Sequence, residues 1–350
     1  MKDAISTLAL HLEPLARFLD DSSVTEICIN EPFKVFIENR SGWEMHRVEA
    51  INFDWCMDAA KLMANWANQE ITEESPMLSA QLPKGERVQI VLPPTVPVGT
   101  VSITIRRPST SVMTLDEIIA TGAFSNTRCE QSLRLGADER KALEAELPDH
   151  DKKLLELFRA KDWKEFLTMS VLRKKNIISS GQTGSGKTTL GNALVAIIPA
   201  TERIITVEDV REMRPPHENM VSMVYSKDNK GLAKVTPKQI FEGNLRQRPD
   251  RVLPAELRGD EAFFFIQNVI NSGHPGTITT VHANRAKLAF MRLSFMIKAS
   301  PEGAGISRED ILETLYALID VIVQMERLPT GERVVSEVYF DPAFAAKQLG

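Results

Sequence analysis

Two periodicities divide this chain. Up to about residue 115, short runs alternate apolar and polar positions between turn residues: Val24–Asn30, Val35–Ile37 after Pro32, Trp43–Val48, Arg87–Leu92 and Val101–Ile105. A period of two with frequent turns predicts strands that bury one face. Two stretches carry a helical period instead. Leu8, Leu12, Leu15 and Leu19 mark one amphipathic helix, and Trp55, Ala59, Leu62, Met63 and Trp66 share one side of a second over Asp54–Asn68. The Pro93-Pro94…Pro97…Gly99 run reads as the turn between the last two strands. Residues 1–115 are therefore expected to form a small α+β domain.

From 116 to 164 the pattern changes. Thr114-Leu-Asp-Glu-Ile has the look of a capped helix start. Beyond Gly122 the signs are mixed, with Asp138, Glu139, Arg140, Lys141, Glu144, Glu146, Asp149, Asp151, Lys152 and Lys153 among scattered leucines. That predicts a charged, solvated helical linker between domains. From 165 to 350, strand-like and helix-like segments alternate, the signature of a mostly parallel α/β sheet covered by helices. Ligands of such sheets bind at the carboxyl ends of the strands.

At one such end the chain reads Gly181, Gln182, Thr183, Gly184, Ser185, Gly186, Lys187, Thr188, Thr189, a full phosphate-binding loop. The glycines let backbone N–H groups turn inward around an anion, Lys187 supplies charge to the β/γ-phosphates, and the Thr188 hydroxyl supplies an oxygen to Mg²⁺. The flanks fit: Asn176-Ile177-Ile178 reads as a buried strand before it, and Leu190, Ala193, Leu194 and Ile197 repeat at helical spacing until Pro199. The sequence therefore implies nucleotide binding.

Further chemistry follows at later strand ends. Arg203–Val207 delivers Glu208 and Asp209 to its carboxyl end, with Glu212 just beyond. A carboxylate there can orient or deprotonate the water attacking a γ-phosphate, or merely solvate a strand exit. Thr236-Pro237 starts a helix, Arg251–Ala255 reads as a strand, and Glu256 ends it where a Mg²⁺-holding acid belongs. Asp260 would cap the next helix, running through Phe264, Ile266, Val269 and Ile270 to Gly273. His274 and His282 then bracket a Thr/Ile-rich strand, placing an imidazole within reach of a phosphate.

Bulk properties narrow the classes. The 350 residues suffice for two domains, and 43% hydrophobic with 25% charged residues is a globular balance. A net charge of −5 gives no general pull toward nucleic acid. Cys28, Cys56 and Cys129 are scattered, which fits reduced thiols and no metal cluster. No apolar run is long enough to span a bilayer, and Asp3, His11 and Glu13 interrupt any signal-peptide core.

These blocks in this order resemble the secretion traffic ATPases, the hexameric motors of type II and type IV secretion and type IV pili. Glu202–Met213 resembles their Asp box, Leu245–Gly259 an atypical Walker B and His274–His282 their His box. Glu26–Pro32, Arg87–Pro94 and Val101–Ser109 are similar to their N-domain. Within the family the similarity is to the VirB-type members of type IV secretion; the tetracysteine motif of type II members is absent. The resemblance implies a RecA-like P-loop domain after a smaller α+β domain, and ATP and Mg²⁺ as cofactors. It also implies a homo-hexamer, cytoplasmic and held at the inner membrane through partners. Those partners would be other type IV secretion ATPases and inner-membrane components, with protein or DNA–protein substrates engaged indirectly and no sequence-specific nucleic-acid binding.

Carried over residue by residue, Lys187 and Thr188 bind phosphate and Mg²⁺, Glu208 is the catalytic carboxylate supported by Glu212, and Glu256 is the Walker B acid. His282 senses the γ-phosphate and His274 is a second candidate. On the same resemblance Arg106 and Arg107 would reach the nucleotide from the N-domain, and Arg248 would be a further charge partner, in its own or a neighbouring subunit. Where the family has glycine before the Walker B acid, this chain has Pro254-Ala255, which is awkward inside a central strand. Two other functions compete: an ATP-gated assembly adaptor with little turnover, and a nucleic-acid motor sharing the RecA-like core.

Overall fold

The computed structural model describes residues 2–39, 41–107, 112–225, 235–259 and 261–349. They fall into two compact units, Met1–Ser111 with Tyr225–Val235, and Val112–Val224 with Thr236–Gly350.

In the first unit six strands form one antiparallel sheet in the spatial order Gly42–Arg47, Lys34–Asn39, Glu26–Glu31, Ser102–Arg106, Arg87–Val91, Met77–Gln81. The alternation seen in the sequence sets the register: Ile27 stands opposite Ile37 and Ile105, and Ile29 opposite Val35 and Ile103. One face of the sheet is thus apolar, and Cys56, Ala59, Ala60 and Met63 of helix Phe53–Trp66 are buried in the same core. Met77–Gln81 escaped sequence reading because it is an edge strand in which Leu78 alone is buried. The leucine pattern at the N-terminus is real, but one helix becomes Lys2–His11, a tight turn Glu13–Leu15 and Ala16–Leu19. Pro14 is the reason, since it offers no N–H to continue the ladder.

In the second unit a five-stranded sheet runs Ile278–Val281, Ile177–Gly181, Val321–Arg327, Arg333–Phe340, Arg128–Glu130, and a three-stranded parallel sheet runs Met220–Val224, Ile204–Glu208, Arg251–Pro254. All neighbours are parallel except the hairpin Val321–Arg327/Arg333–Phe340. Side chains join the two sheets. Thr277 Oγ1 donates to the Val252 carbonyl at 3.0 Å, Thr280 Oγ1 to that of Ala255 at 2.9 Å, and the Leu257 N–H to Thr280 O at 3.1 Å. Pro254 fits for this reason. By the two-residue period its nitrogen faces the same side as Val252, where threonine hydroxyls replace a backbone ladder. Its other side keeps register with Val207, and the strand ends there.

The segment expected to be a linker is part of this second unit. Thr114 and Glu117 form a capping box on helix Leu115–Ala120. Arg128–Glu130 adds the edge strand, and Leu154, Leu155 and Phe158 of helix Asp149–Ala160 are buried with Phe166, Leu190 and Phe340. The dense surface charge on these helices masked their narrow apolar stripe. Beyond strand Arg251–Pro254, helix Glu261–Phe265 passes into a π-helical turn Ile266–Ile270, while Asp260 lies outside the described residues.

At the amino-terminal ends of the parallel strands, away from the P-loop, the wholly buried Arg251 is clamped. Its Nε and Nη2 reach the Glu202 carboxylate at 2.8 and 3.1 Å, and its fork also meets the carbonyls of Val171 at 2.9 Å and Gly276 at 3.2 Å. Arg251→Met leaves Glu202 with only the longer 3.4 Å contact to Lys174 and takes one donor each from the Val171 and Gly276 carbonyls, so it should lower the unfolding free energy by about 3 kcal/mol. Urea denaturation checks this; an unchanged midpoint contradicts it.

Candidate nucleotide-binding site

The buried strand Ile177–Gly181 enters helix Lys187–Val195 through a loop in which Gly184 and Gly186 have φ of 76° and 97°. These left-handed angles cost a residue with a side chain about 1–2 kcal/mol. Lys187 is 7% exposed, and its ammonium donates to the carbonyls of Gly181 at 2.8 Å and Gln182 at 2.7 Å. Ser185 Oγ closes the loop onto Gln182 O at 2.8 Å. Gln182 Nε2 lies 3.4 Å from Asn284 Oδ1, Thr183 is exposed and Thr189 half-buried.

Strand Ile204–Glu208 ends on a carboxylate that is 1% exposed. Glu208 Oε1 accepts the N–H groups of Glu212 and Met213, both at 2.8 Å, and Thr206 Oγ1 donates to Oε2 at 3.3 Å. Burial raises its pKa above the usual carboxylate value against the opposing pull of the two amides. Through those amides Glu208 shapes the loop that carries Glu212. Glu212 Oε2 in turn accepts a hydrogen bond from Thr188 Oγ1 at 3.3 Å. The two acids thus stand in series: one fixes a loop, the other touches the P-loop hydroxyl.

A second chain of contacts starts at Lys187. Its Nζ lies 3.5 Å from His282 Nδ1, and His282 Nε2 lies 3.0 Å from Glu256 Oε1. Arg258 then bridges Glu256 Oε2 at 2.5 Å and Asp209 Oδ2 at 2.7 Å. Burial first, then the charges of Lys187 and Arg258, push the His282 pKa below its ordinary value. The neutral ring that results can turn its Nδ1 lone pair to the ammonium while Nε2 stays in contact with Glu256. Buried Gln324 donates to the Ala283 carbonyl at 3.1 Å, which holds the turn bearing His282. The backbone N–H groups of Arg258 and Gly259 donate to Glu261 Oε1 at 2.8 and 3.0 Å, which fixes the loop bearing Arg258.

Lys187, Thr188, Glu212, Glu256 and His282 are therefore tied together at the carboxyl ends of adjacent strands, with Glu208 beside them. Sequence reading placed Asp209 at its strand end without assigning it a partner and missed Arg258; the signal was a cation two residues after Glu256, enough to span to the neighbouring strand end. Two candidates sit elsewhere. His274 precedes strand Ile278–Val281, near Lys174 at the amino-terminal ends of the strands, so a strand length separates it from His282. Arg248 is exposed in a left-handed turn before Arg251–Pro254, at those same ends. Arg106 and Arg107 lie in the first unit; Arg106 ends strand Ser102–Arg106 and Arg107 donates to the carbonyls of Asp21 and Val24.

Among the described residues no cluster of His, Cys, Asp or Glu can hold a metal by itself. That donor set suits Mg²⁺ delivered with a nucleotide, since Thr188 Oγ1 and the Glu212 carboxylate are hard oxygens and phosphate and water complete such a shell. No described helix is long and apolar enough to cross a membrane.

A family model described as "Type II/IV secretion system protein" matches residues 153–328. The type IV secretion system protein VirB11 of Bartonella quintana (strain Toulouse) is 45% identical over 97% of this chain and 94% of its own length. That of Brucella suis biovar 1 is 39% identical over 96% and 91%. Among solved structures, the VirB11 ATPase of the Brucella suis type IV secretion system in complex with sulphate is 38% identical, with a TM-score of 0.54 over 97% of this chain and 99% of that one. The pilus retraction motor PilT with bound ADP has a TM-score of 0.58 over 97% and 86% at 16% identity, a likeness of fold alone. The fold is the expected RecA-like P-loop core preceded by an α+β domain. Matched at this identity over nearly its whole length, the chain belongs to the VirB11 family of type IV secretion ATPases.

Proposed function

We propose that this chain works as a hexamer that binds MgATP at the 181–189 loop and hydrolyses it, powering or switching substrate transport and pilus assembly. The observation that carries this reading is the convergence of Lys187, Thr188, Glu212, His282, Glu256 and Arg258 at one set of strand ends. Lys187 exchanges its loop carbonyls for phosphate oxygens, and Thr188 with Glu212, and with Glu256 beyond, would hold Mg²⁺ and its water. Bound Mg²⁺ would neutralise charge on the phosphates. Glu208 is locked through Oε1 and keeps lone pairs on Oε2, and its raised pKa suits a carboxylate that orients the attacking water. His282 registers the phosphate through Lys187 and passes the change to Glu256, Arg258 and Asp209. Arg106 and Arg107 would add charge when the first unit closes over ATP, and Arg248 would serve a neighbouring subunit. Work at the inner membrane with other secretion ATPases completes the proposal. Accommodation of Pro254 on the unladdered side of its strand argues for turnover over a purely ATP-gated adaptor.

Steady-state turnover with mass measurement tests this. Lys187→Ala should lose nucleotide binding, and Glu208→Gln should lower kcat by about 10²–10³ with ATP affinity kept within about twofold. Glu212→Gln should raise the Mg²⁺ concentration for half-maximal rate. A wild-type hexamer without turnover would favour the adaptor, and DNA-stimulated turnover the nucleic-acid motor.

The His282 pKa gives a separate check. Lowered in the fold and near 6.5 when unfolded, it contributes stability that is complete above pH 6.5 and is lost as pH falls toward the folded value. Between pH 8 and 5.5 the wild type should lose more stability than His282→Gln, measured by urea midpoints. Equal losses contradict the shift.

A further inference from the structure

The hairpin of Val321–Arg327 and Arg333–Phe340 runs alongside the glycine loop. Met325 stands opposite Gly181 in the parallel ladder, so Glu326 and Arg327 continue past the point where the P-loop strand ends. Arg333 faces Arg327 across the hairpin and is thereby carried to the same level. The approach is close. A Cβ on Gly181 would collide with the Met325 carbonyl oxygen, and one on Gly186 would lie 3.2 Å from Arg333 Cδ. At the end of that stem, Arg333 Nε donates to the Gly184 carbonyl at 3.0 Å.

We propose that Arg333 is a positioning residue of the nucleotide site, acting through this Nε–H bond rather than through its charge. The inference rests on the reading that the loop holds the nucleotide's phosphates. A trans peptide points its C=O and N–H in opposite directions. A donor on the Gly184 oxygen therefore fixes the direction of the Ser185 N–H, one of the amides that such a loop turns toward phosphate. That amide otherwise makes a long 3.3 Å bond to Gln182 O. Gly184 is also the residue with least resistance to rotating this peptide plane, since it has no side chain and sits at φ 76°. Arg333 supplies the restraint that the glycine lacks, from a strand outside the motif.

Side-chain topology separates the bond from the charge. Glutamine carries its Nε2 after Cβ, Cγ and Cδ, where arginine carries Nε, so Arg333→Gln keeps the donor and loses the charge. Arg333→Lys keeps the charge but puts a methylene there. Binding of fluorescent ADP and the kcat and KM for ATP are measured for Arg333→Gln, Arg333→Lys, Arg333→Ala and Lys187→Ala. The glutamine variant should bind within about twofold of wild type. The lysine and alanine variants should bind ADP about five- to tenfold more weakly, the size of one hydrogen bond. Their KM should rise in step while kcat stays within about twofold, because the cradle grips ground and transition states alike. A lysine variant like wild type beside a weakened glutamine variant would overturn the proposal in favour of charge. Unchanged binding in all three, with binding lost in Lys187→Ala, overturns this inference and leaves the P-loop reading standing. Unchanged binding in Lys187→Ala overturns both.

Discussion

A buried ammonium group governs the second unit. Lys187 is almost out of solvent, and a desolvated cation must be met by acceptors or it destabilises the fold. Two loop carbonyls meet it, and they exist only because the glycines allow the chain to curl back on itself. The third neighbour is an imidazole, which is compatible with the ammonium only while neutral. Its other ring nitrogen lies 3.0 Å from Glu256 Oε1, and the Glu256 carboxylate is met by the cation that Arg258 provides. One constraint thus propagates across three strand ends to Asp209. Exchange of the lysine's carbonyl partners for phosphate would disturb each later contact, which gives the site a physical route from ligand to loop.

The sheet makes that route possible. The P-loop strand lies between Ile278–Val281 and Val321–Arg327, so the His282 turn and the arginine-bearing hairpin flank it on either side. Ile204–Glu208 and Arg251–Pro254 lie next to each other in a separate ladder. Two threonine hydroxyls and a single backbone bond, in place of a full ladder, couple those strands to the P-loop sheet. A side-chain seam is easier to shift than a full ladder, because fewer hydrogen bonds must change together. It falls between Glu256 and His282, where the chain of contacts crosses.

Much of this was legible in the sequence. Glycine spacing, the strand before it and the helix after it fix a P-loop by local chemistry alone, and alternation in residues 24–37 and 87–105 sets the first sheet. What was not legible depended on strand order. His274 and His282 look equivalent on either side of one strand, yet a strand has two ends and only one faces the loop. Arg248 and Arg258 differ in the same way. The stretch 116–164 misled because its polar surface outnumbers the scattered apolar positions, among them Phe124, Leu154, Leu155 and Phe158, that dock it. Arg333 is far from every motif, and only the parallel pairing of Met325 with Gly181 brings its hairpin to the loop.

The central claim is that Lys187, His282, Glu256 and Arg258 act as one unit. A double-mutant cycle on ATP turnover with His282→Gln and Glu256→Gln tests it most directly. A unit predicts strong non-additivity: the double variant should lose little more than the worse single variant. Losses that multiply independently would show that the two side chains act separately, and would contradict the account.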